Sequence, residues 1–142
     1  LPLAGKRVML LGAGGAGSAI AAAIGAQRPA SLKIYDVDGA RAQTLAATIA
    51  GANRGVDVTA GVPTVEGIDY FLNASPVGML TDSRLPVPLT TLPREIVVFD
   101  AIVKPEVTPL LALAAQCGCT AFGGREMMRG QIAKMVDFFF AA

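Results

Sequence analysis

The chain has 142 residues, enough for one domain with a real core, and carries 53% hydrophobic residues with a formal net charge of +1. No basic cluster interrupts that balance, which excludes nucleic acid and an anionic membrane surface as partners. Histidine is absent, which removes His-based general bases, Ser–His pairs and most zinc sites, so no metal centre is expected.

The first predicted strand, 6–11, contains the apolar run Arg7-Val8-Met9-Leu10-Leu11. It leads into Gly12-Ala13-Gly14-Gly15-Ala16-Gly17, a full G-x-G-x-x-G, and then into small helix-forming residues predicted as a helix over 15–27. Residues 8 to 26 carry no charge, but five glycines interrupt the ~20 continuous apolar residues that a spanning helix needs, so no membrane span is expected. A second strand, 31–36, ends on Asp36, which lies 19 residues after Gly17. Asp38 directly precedes Gly39-Ala40-Arg41 and is the expected N-cap of a helix over 38–50, with Gly51 as its stop. Strands follow over 55–59, 68–73 and 95–101, with Gly61 closing the first of these. Between the last two lies the one long irregular stretch, 80–93, with Pro86, Pro88 and Pro93. Such loops often border sites. The remaining elements are a helix over 106–117 ended by Gly118, a strand over 119–122 and a helix over 125–141.

Regular alternation of this kind predicts an α/β fold, a doubly wound (Rossmann) parallel sheet of about six strands with helices on both faces. One domain, residues 1–142, is expected, and its glycine turn makes it a candidate dinucleotide-binding domain. Cys117 and Cys119 lie two apart across Gly118, where a disulfide would be strained, so free thiols in a reducing cytoplasm are expected. The chain opens on Leu1-Pro2-Leu3-Ala4-Gly5-Lys6, without an initiator Met, and reads as the interior of a longer protein.

Strand, glycine turn, helix, second strand and acid make up the context of a dinucleotide site. Gly12 turns the chain sharply off the strand, Gly14 lets a pyrophosphate approach the backbone, and Gly17 allows close helix–sheet packing. With Ala13, Gly15 and Ala16, these residues offer free N–H groups and the positive end of a helix dipole to the phosphates. A carboxylate at Asp36 accepts hydrogen bonds from the adenosine ribose, whereas the 2′-phosphate of NADP would meet it as a like charge. Val37 follows without a cation, and Arg41 is the nearest base able to reach such a phosphate. NAD is therefore the expected cofactor, with NADP disfavoured.

Ligands of open sheets bind beyond the carboxyl ends of the strands. Three further segments should converge there: Asn73 to Met79, Asp100 to Pro105 and Gly123 to Met127. Asn73 and Ser75 are candidates either for cofactor contact or for turn chemistry with nearby backbone.

These segments, in this order, resemble the C-terminal half of the shikimate/quinate dehydrogenase family. The glycine turn is similar to the family's GAGGA-type turn, and Asn73 to Met79 to its N-[AT]-[ST]-x-x-G-M. Asp100 to Leu110 resembles D-x-x-Y-x-P-x-x-T-x-L, with Pro105, Thr108 and Leu110 aligned. Gly124 to Gln131 resembles G-x-x-M-L-x-x-Q, with Met128 in place of Leu. The resemblance implies reversible hydride transfer between NAD(P) and a ring hydroxyl of a shikimate- or quinate-like acid. It implies that Ala101 and Gly124 contact the nicotinamide end, that Met127 lines its pocket and that Gln131 reaches the substrate; Lys104, next to Val103, is a further candidate for substrate contact. The family's catalytic Lys/Asp pair lies in an N-terminal half that this chain lacks, so no catalytic residue is assigned here and that half is an implied partner. Two positions depart from the family: Val103 stands where its substrate-contacting tyrosine would be, and Asp36-Val37-Asp38 replaces the N-R-T of NADP-binding members. The alternative is a non-catalytic, NAD(H)-responsive binding module, or another Rossmann enzyme of the folate or glutamyl-tRNA reductase kind.

The last segment carries Met128, Ile132, Met135 and Phe138-Phe139-Phe140. Three consecutive rings cannot share one helical stripe, because successive residues turn ~100°. An apolar patch around 138–140 is therefore expected to promote self-association.

Overall fold

The computed structural model describes residues 3–125. Its elements are β1 (Arg7–Leu11), α1 (Gly15–Ala26), β2 (Ser31–Tyr35), α2 (Gly39–Ala52), β3 (Asp57–Ala60), β4 (Tyr70–Asn73), β5 (Val97–Asp100), α3 (Pro109–Gln116) and β6 (Thr120–Phe122). All strand pairs are parallel, in the order β3-β2-β1-β4-β5-β6. The order reverses between β1 and β4, so a crevice opens at their carboxyl ends. The expected doubly wound sheet of six strands is present.

Both faces of the central strands are buried, which is why β1 and β4 read as apolar runs rather than alternating ones. Successive side chains of β1 go to opposite layers. Val8 and Leu10 meet Ile20, Ala21 and Ile24 of α1 and Leu45, Ala46 and Ile49 of α2. Met9 and Leu11 share the other layer with Phe71, Val98, and Leu110 and Ala114 of α3. The proline-rich stretch 80–93 contributes Val87 and Leu92 to that second layer. It stands where a crossover helix would otherwise cover the sheet.

The strands expected over 55–59, 68–73 and 95–101 each begin two residues later, and two helix boundaries differ from expectation for identifiable reasons. The second helix does not stop at Gly51, because this glycine takes no left-handed turn and faces open space, so nothing forces an end before Asn53. The third helix starts at Pro109 rather than 106. Thr108 caps it by accepting a hydrogen bond from the Leu111 N–H at 3.2 Å, and Pro109 occupies the first turn, where its missing donor is harmless. Gly118, at φ +77°, ends that helix as expected. The helix expected over 125–141 lies outside the described residues from residue 126 on, and with it the 138–140 patch.

The cysteines are free and half-buried at the far end of the sheet. The Cys117 Sγ accepts from the Leu92 N–H at 3.3 Å, and the Cys119 Sγ donates to the Pro93 carbonyl at 3.2 Å. Burial pushes the Cys119 thiol above its usual pKa, as do the neighbouring Cys117 and Glu95, which keeps it a thiol.

At the amino ends of β1 and β4, Asp69 accepts from the Arg7 backbone N–H at 2.8 Å and pairs with its guanidinium at 3.2 Å. The Arg7 side chain, then its backbone N–H, hold the Asp69 carboxyl below the usual carboxylate range. A lowered native pKa gives stability that is complete above the unfolded value, about 3.9, and is lost as pH falls through the native one. Acid unfolding of an Asp69→Asn variant should accordingly show a shallower loss of stability below about pH 4 than the wild type. Superimposable profiles would remove this pair from the acid transition.

Candidate functional site

Strand register puts the site together. Leu11 lies level with Tyr35 and with Asn73, and Asn73 with Asp100, so β1, β2, β4 and β5 end in one row. The ladder runs one residue further: Gly12 N–H donates to the Tyr35 carbonyl, Ala74 N–H to that of Leu11 and Ala101 N–H to that of Asn73. Gly12, Asp36, Ala74 and Ala101 therefore sit side by side at the carboxyl edge.

Each glycine of the turn has a separate job. Gly12 has φ +104°, and a Cβ there would come within 2.8 Å of the Ala74 carbonyl carbon and the Ser75 nitrogen. At Gly17 a Cβ would lie 2.0 Å from the Gly12 carbonyl oxygen, so α1 can press against the turn only without a side chain. Gly14 and Gly15 have nothing within 4 Å of that position. Their bareness serves the space above them. Gly14 caps α1 without any side-chain hydrogen bond, which leaves the first N–H groups of a 12-residue helix facing that space. This cradle fits a pyrophosphate.

Asp36 is half-buried beside the turn. Its Oδ2 accepts from the Ala13 N–H at 2.7 Å and its Oδ1 from the Asp38 N–H at 2.9 Å. Each oxygen keeps acceptor capacity for a ligand hydroxyl. Asp38 is the N-cap of α2, accepting from the Arg41 N–H at 3.2 Å, so Asp36 is free of that duty. Val37 is 88% exposed and Arg41 also faces solvent.

A cleft of about 730 Å³ opens beside Asp36, between the start of α2, the Ala60–Glu66 segment and Pro86–Leu89, with Tyr35 and Phe71 in its wall. Of the sequence-assigned site residues among those described, Asp36 alone lines it. The glycine turn, Asn73, Ser75, Ala101 and Gly124 lie outside, so this cleft flanks the Asp36 side of the edge. Nothing in the sequence flagged it except the prolines of the 80–93 stretch.

Asn73 serves the turn reading. Its amide donates to Asp100 Oδ1 at 3.2 Å and to the Val77 carbonyl at 3.4 Å, and its Oδ1 accepts from the Ser75 N–H and hydroxyl at 3.0 and 2.6 Å. Both of its polar groups are thus engaged inside the protein. Asp100 was marked in the sequence only as the start of a segment. It is fully buried and accepts from Asn73, from the Ile102 N–H at 3.1 Å and from the Thr108 hydroxyl at 2.7 Å. Burial raises its pKa, and the Thr108, Ile102 and Asn73 donors pull it back. An apolar strand that ends in an acid, Val97-Val98-Phe99-Asp100, was the available signal.

Ala101 and Gly124 do meet. A Cβ at Gly124 would stand 2.5 Å from the Ile102 carbonyl oxygen and 2.6 Å from that of Ala101, and the Gly124 N–H donates to Ile102 at 3.1 Å. Lys104 is exposed, with its carbonyl accepting from the Leu80 N–H. Met127 and Gln131 lie outside the described residues. Among those residues no cluster fit for a metal ion occurs, and no helix is long and apolar enough to cross a membrane.

No family model matches the chain. It is 36% identical over 142 residues to a shikimate dehydrogenase (NADP(+)) of Halorubrum lacusprofundi, covering 100% of this chain and 51% of that protein. The chain thus spans about half the length of the curated relatives it matches. The ligand-free 5-ketofructose reductase of Gluconobacter sp. strain CHM43 superposes with a TM-score of 0.82 at 31% identity, over 100% of this chain and 53% of that one. Quinate dehydrogenase from Corynebacterium glutamicum in complex with NAD gives 0.77 at 29% identity, over 97% and 51%. Sequence and fold agree: over essentially its whole length the chain is similar to the C-terminal half of shikimate and quinate dehydrogenases.

Proposed function

We propose that this chain is the cofactor-holding half of an NAD-preferring oxidoreductase that interconverts a hydroxyl and a ketone on a cyclic polyhydroxy acid, in partnership with a substrate-binding half. The observation behind the reading is Asp36, half-buried at the end of β2 and hydrogen-bonded to the glycine turn at Ala13, beside an uncapped helix N-terminus. The turn residues Gly12, Ala13, Gly14, Gly15 and Ala16 hold the pyrophosphate, and Asp36 accepts from the adenosine ribose. The cleft beside Asp36, with Tyr35, Val65 and Leu89 in its wall, suits the adenine ring. Ala101, Gly124 and Met127 would flank the nicotinamide, which exchanges a hydride with the substrate. Gln131 and Lys104 are the proposed substrate contacts.

The preference for NAD rests on charge. A 2′-phosphate would approach the Asp36 carboxylate as a like charge, with Val37 offering no cation and Arg41 the nearest compensation. The NADP(+) in the name of the Halorubrum relative points the other way, so calorimetry with both oxidised cofactors is the deciding measurement. NAD should bind more tightly, and Asp36→Ala should narrow the gap by ~1–3 kcal/mol, as one hydrogen-bond partner and one repulsion vanish together. Equal or tighter NADP binding by the wild type would sink the preference.

A second substrate reading, reduction of a keto-sugar, is favoured by Val103, which stands in place of the family's substrate-contacting tyrosine, and by the likeness to 5-ketofructose reductase. Assays of the chain joined to a substrate half, with quinate, shikimate and 5-ketofructose side by side, separate the two.

A further inference from the structure

Among the described residues, three polar or charged side chains are buried to 1% exposure or less: Asn73, Asp100 and Thr108. All three belong to one hydrogen-bonded cluster at the carboxyl edge of β4 and β5. A buried carboxyl brings no stability that a well-packed apolar side chain could not supply, and it demands good geometry from every donor around it. What it does here is join segments. Through Asn73 it fixes the Ser75–Val77 turn, through the Ile102 N–H the segment after β5, and through the Thr108 hydroxyl the N-terminus of α3. The Ile102 carbonyl in turn seats Gly124.

We propose that Asp100 is a positioning residue for the nicotinamide end of the cofactor cleft, its carboxyl clamping the 73–77 turn, the 101–104 segment and the start of α3 in one arrangement. This rests on the cofactor-binding reading above. The adenosine end does not depend on the clamp: Asp36, the glycine turn and the cleft beside them share no hydrogen bond with Asp100 among the described residues.

Asp100→Asn keeps the shape and breaks the clamp in either orientation of the amide. With its NH₂ toward Thr108, the hydroxyl loses its acceptor. With its NH₂ toward Asn73 and Ile102, donor faces donor. Thr108→Val removes the hydroxyl at nearly constant shape, and Thr108→Ser retains it. The probes are NADH, read by its nicotinamide fluorescence, and ADP-ribose, which lacks the nicotinamide. Both are titrated onto the whole chain, with thermal midpoints measured alongside. Asp100→Asn and Thr108→Val should bind NADH about tenfold more weakly, the loss of about one hydrogen bond's worth of placement, and should damp its fluorescence change. ADP-ribose should bind within about twofold of wild type, and Thr108→Ser should match wild type for both probes. If Asp100→Asn does not fold, the Thr108 pair carries the test alone. Equal weakening of NADH and ADP-ribose would mean that the cluster only holds the fold together, and unchanged NADH binding would mean that it positions nothing; either overturns the proposal while leaving the cofactor reading intact. A wild-type chain that binds neither probe overturns the cofactor reading and this proposal with it.

Discussion

Gly17→Ala is expected to destabilise the chain by about 3 kcal/mol or more and to lower its thermal midpoint by roughly ten degrees. The added methyl would lie 2.0 Å from the Gly12 carbonyl oxygen and 2.6 Å from its carbon. Both atoms are backbone, so no rotamer change relieves the contact and α1 must lift off the turn. A domain of this size has about 5–15 kcal/mol to lose. Gly14→Ala is the matched control. Its φ is −79°, which alanine adopts freely, and nothing stands within 4 Å of the new methyl. Its thermal midpoint should stay close to wild type. Dinucleotide affinity should nevertheless fall about tenfold, because the methyl occupies the space over the first N–H groups of α1. Differential scanning calorimetry and cofactor titration of the two variants decide the matter. A Gly17→Ala protein as stable as wild type would show that the turn can yield, and undiminished cofactor binding by Gly14→Ala would move the pyrophosphate elsewhere.

The pure chain should bind the dinucleotide but produce no NADH from quinate or shikimate. No residue of the chain matches the family's Lys/Asp pair, and histidine is absent. Along the described cleft edge, the Asp36 carboxylate is engaged with the Ala13 and Asp38 N–H groups, and Asp100 is fully buried under three donors. Neither is placed to take a proton from a substrate hydroxyl. Loss of general-base transfer alone removes roughly 10²–10⁴-fold in rate. Loss of the contacts that would orient a substrate removes as much or more, since positioning supplies about 7–11 kcal/mol in well-ordered sites. Steady NADH formation that survives repeated purification of the chain would overturn this expectation. Joining a substrate half that carries the Lys/Asp pair should restore turnover.

Local rules made much of the architecture legible. Strand–glycine turn–helix, the acid at 36 and the N-cap at 38 are all set by residues near one another in the chain, and each stands where its chemistry demanded. Apolar runs such as Val8 to Leu11 announced a sheet buried on both faces, because only a parallel sheet covered twice has no polar side. The convergence of 73–79, 100–105 and 123–124 on one edge also followed, since parallel strands bring all their carboxyl ends together.

Other features depend on contacts between segments far apart in sequence. Whether Asn73 faces a ligand or its own turn could not be read locally, because the deciding partner, Asp100, is 27 residues away and becomes a neighbour only through the β4–β5 register. For the same reason the start of α3 is set by Thr108, which caps the helix and answers Asp100 at once, whereas helix propensity alone placed it three residues earlier. The cleft beside Asp36 is built from three segments, none of which carries a motif, so only their packing shaped it. The sequence by itself therefore determined the sheet, the glycine cradle and the acid beside it, all products of short-range backbone and charge rules. Tertiary structure alone decided which polar side chains stay open at the carboxyl edge and which are spent on one another, because a buried donor or acceptor takes the partner that folding brings to it.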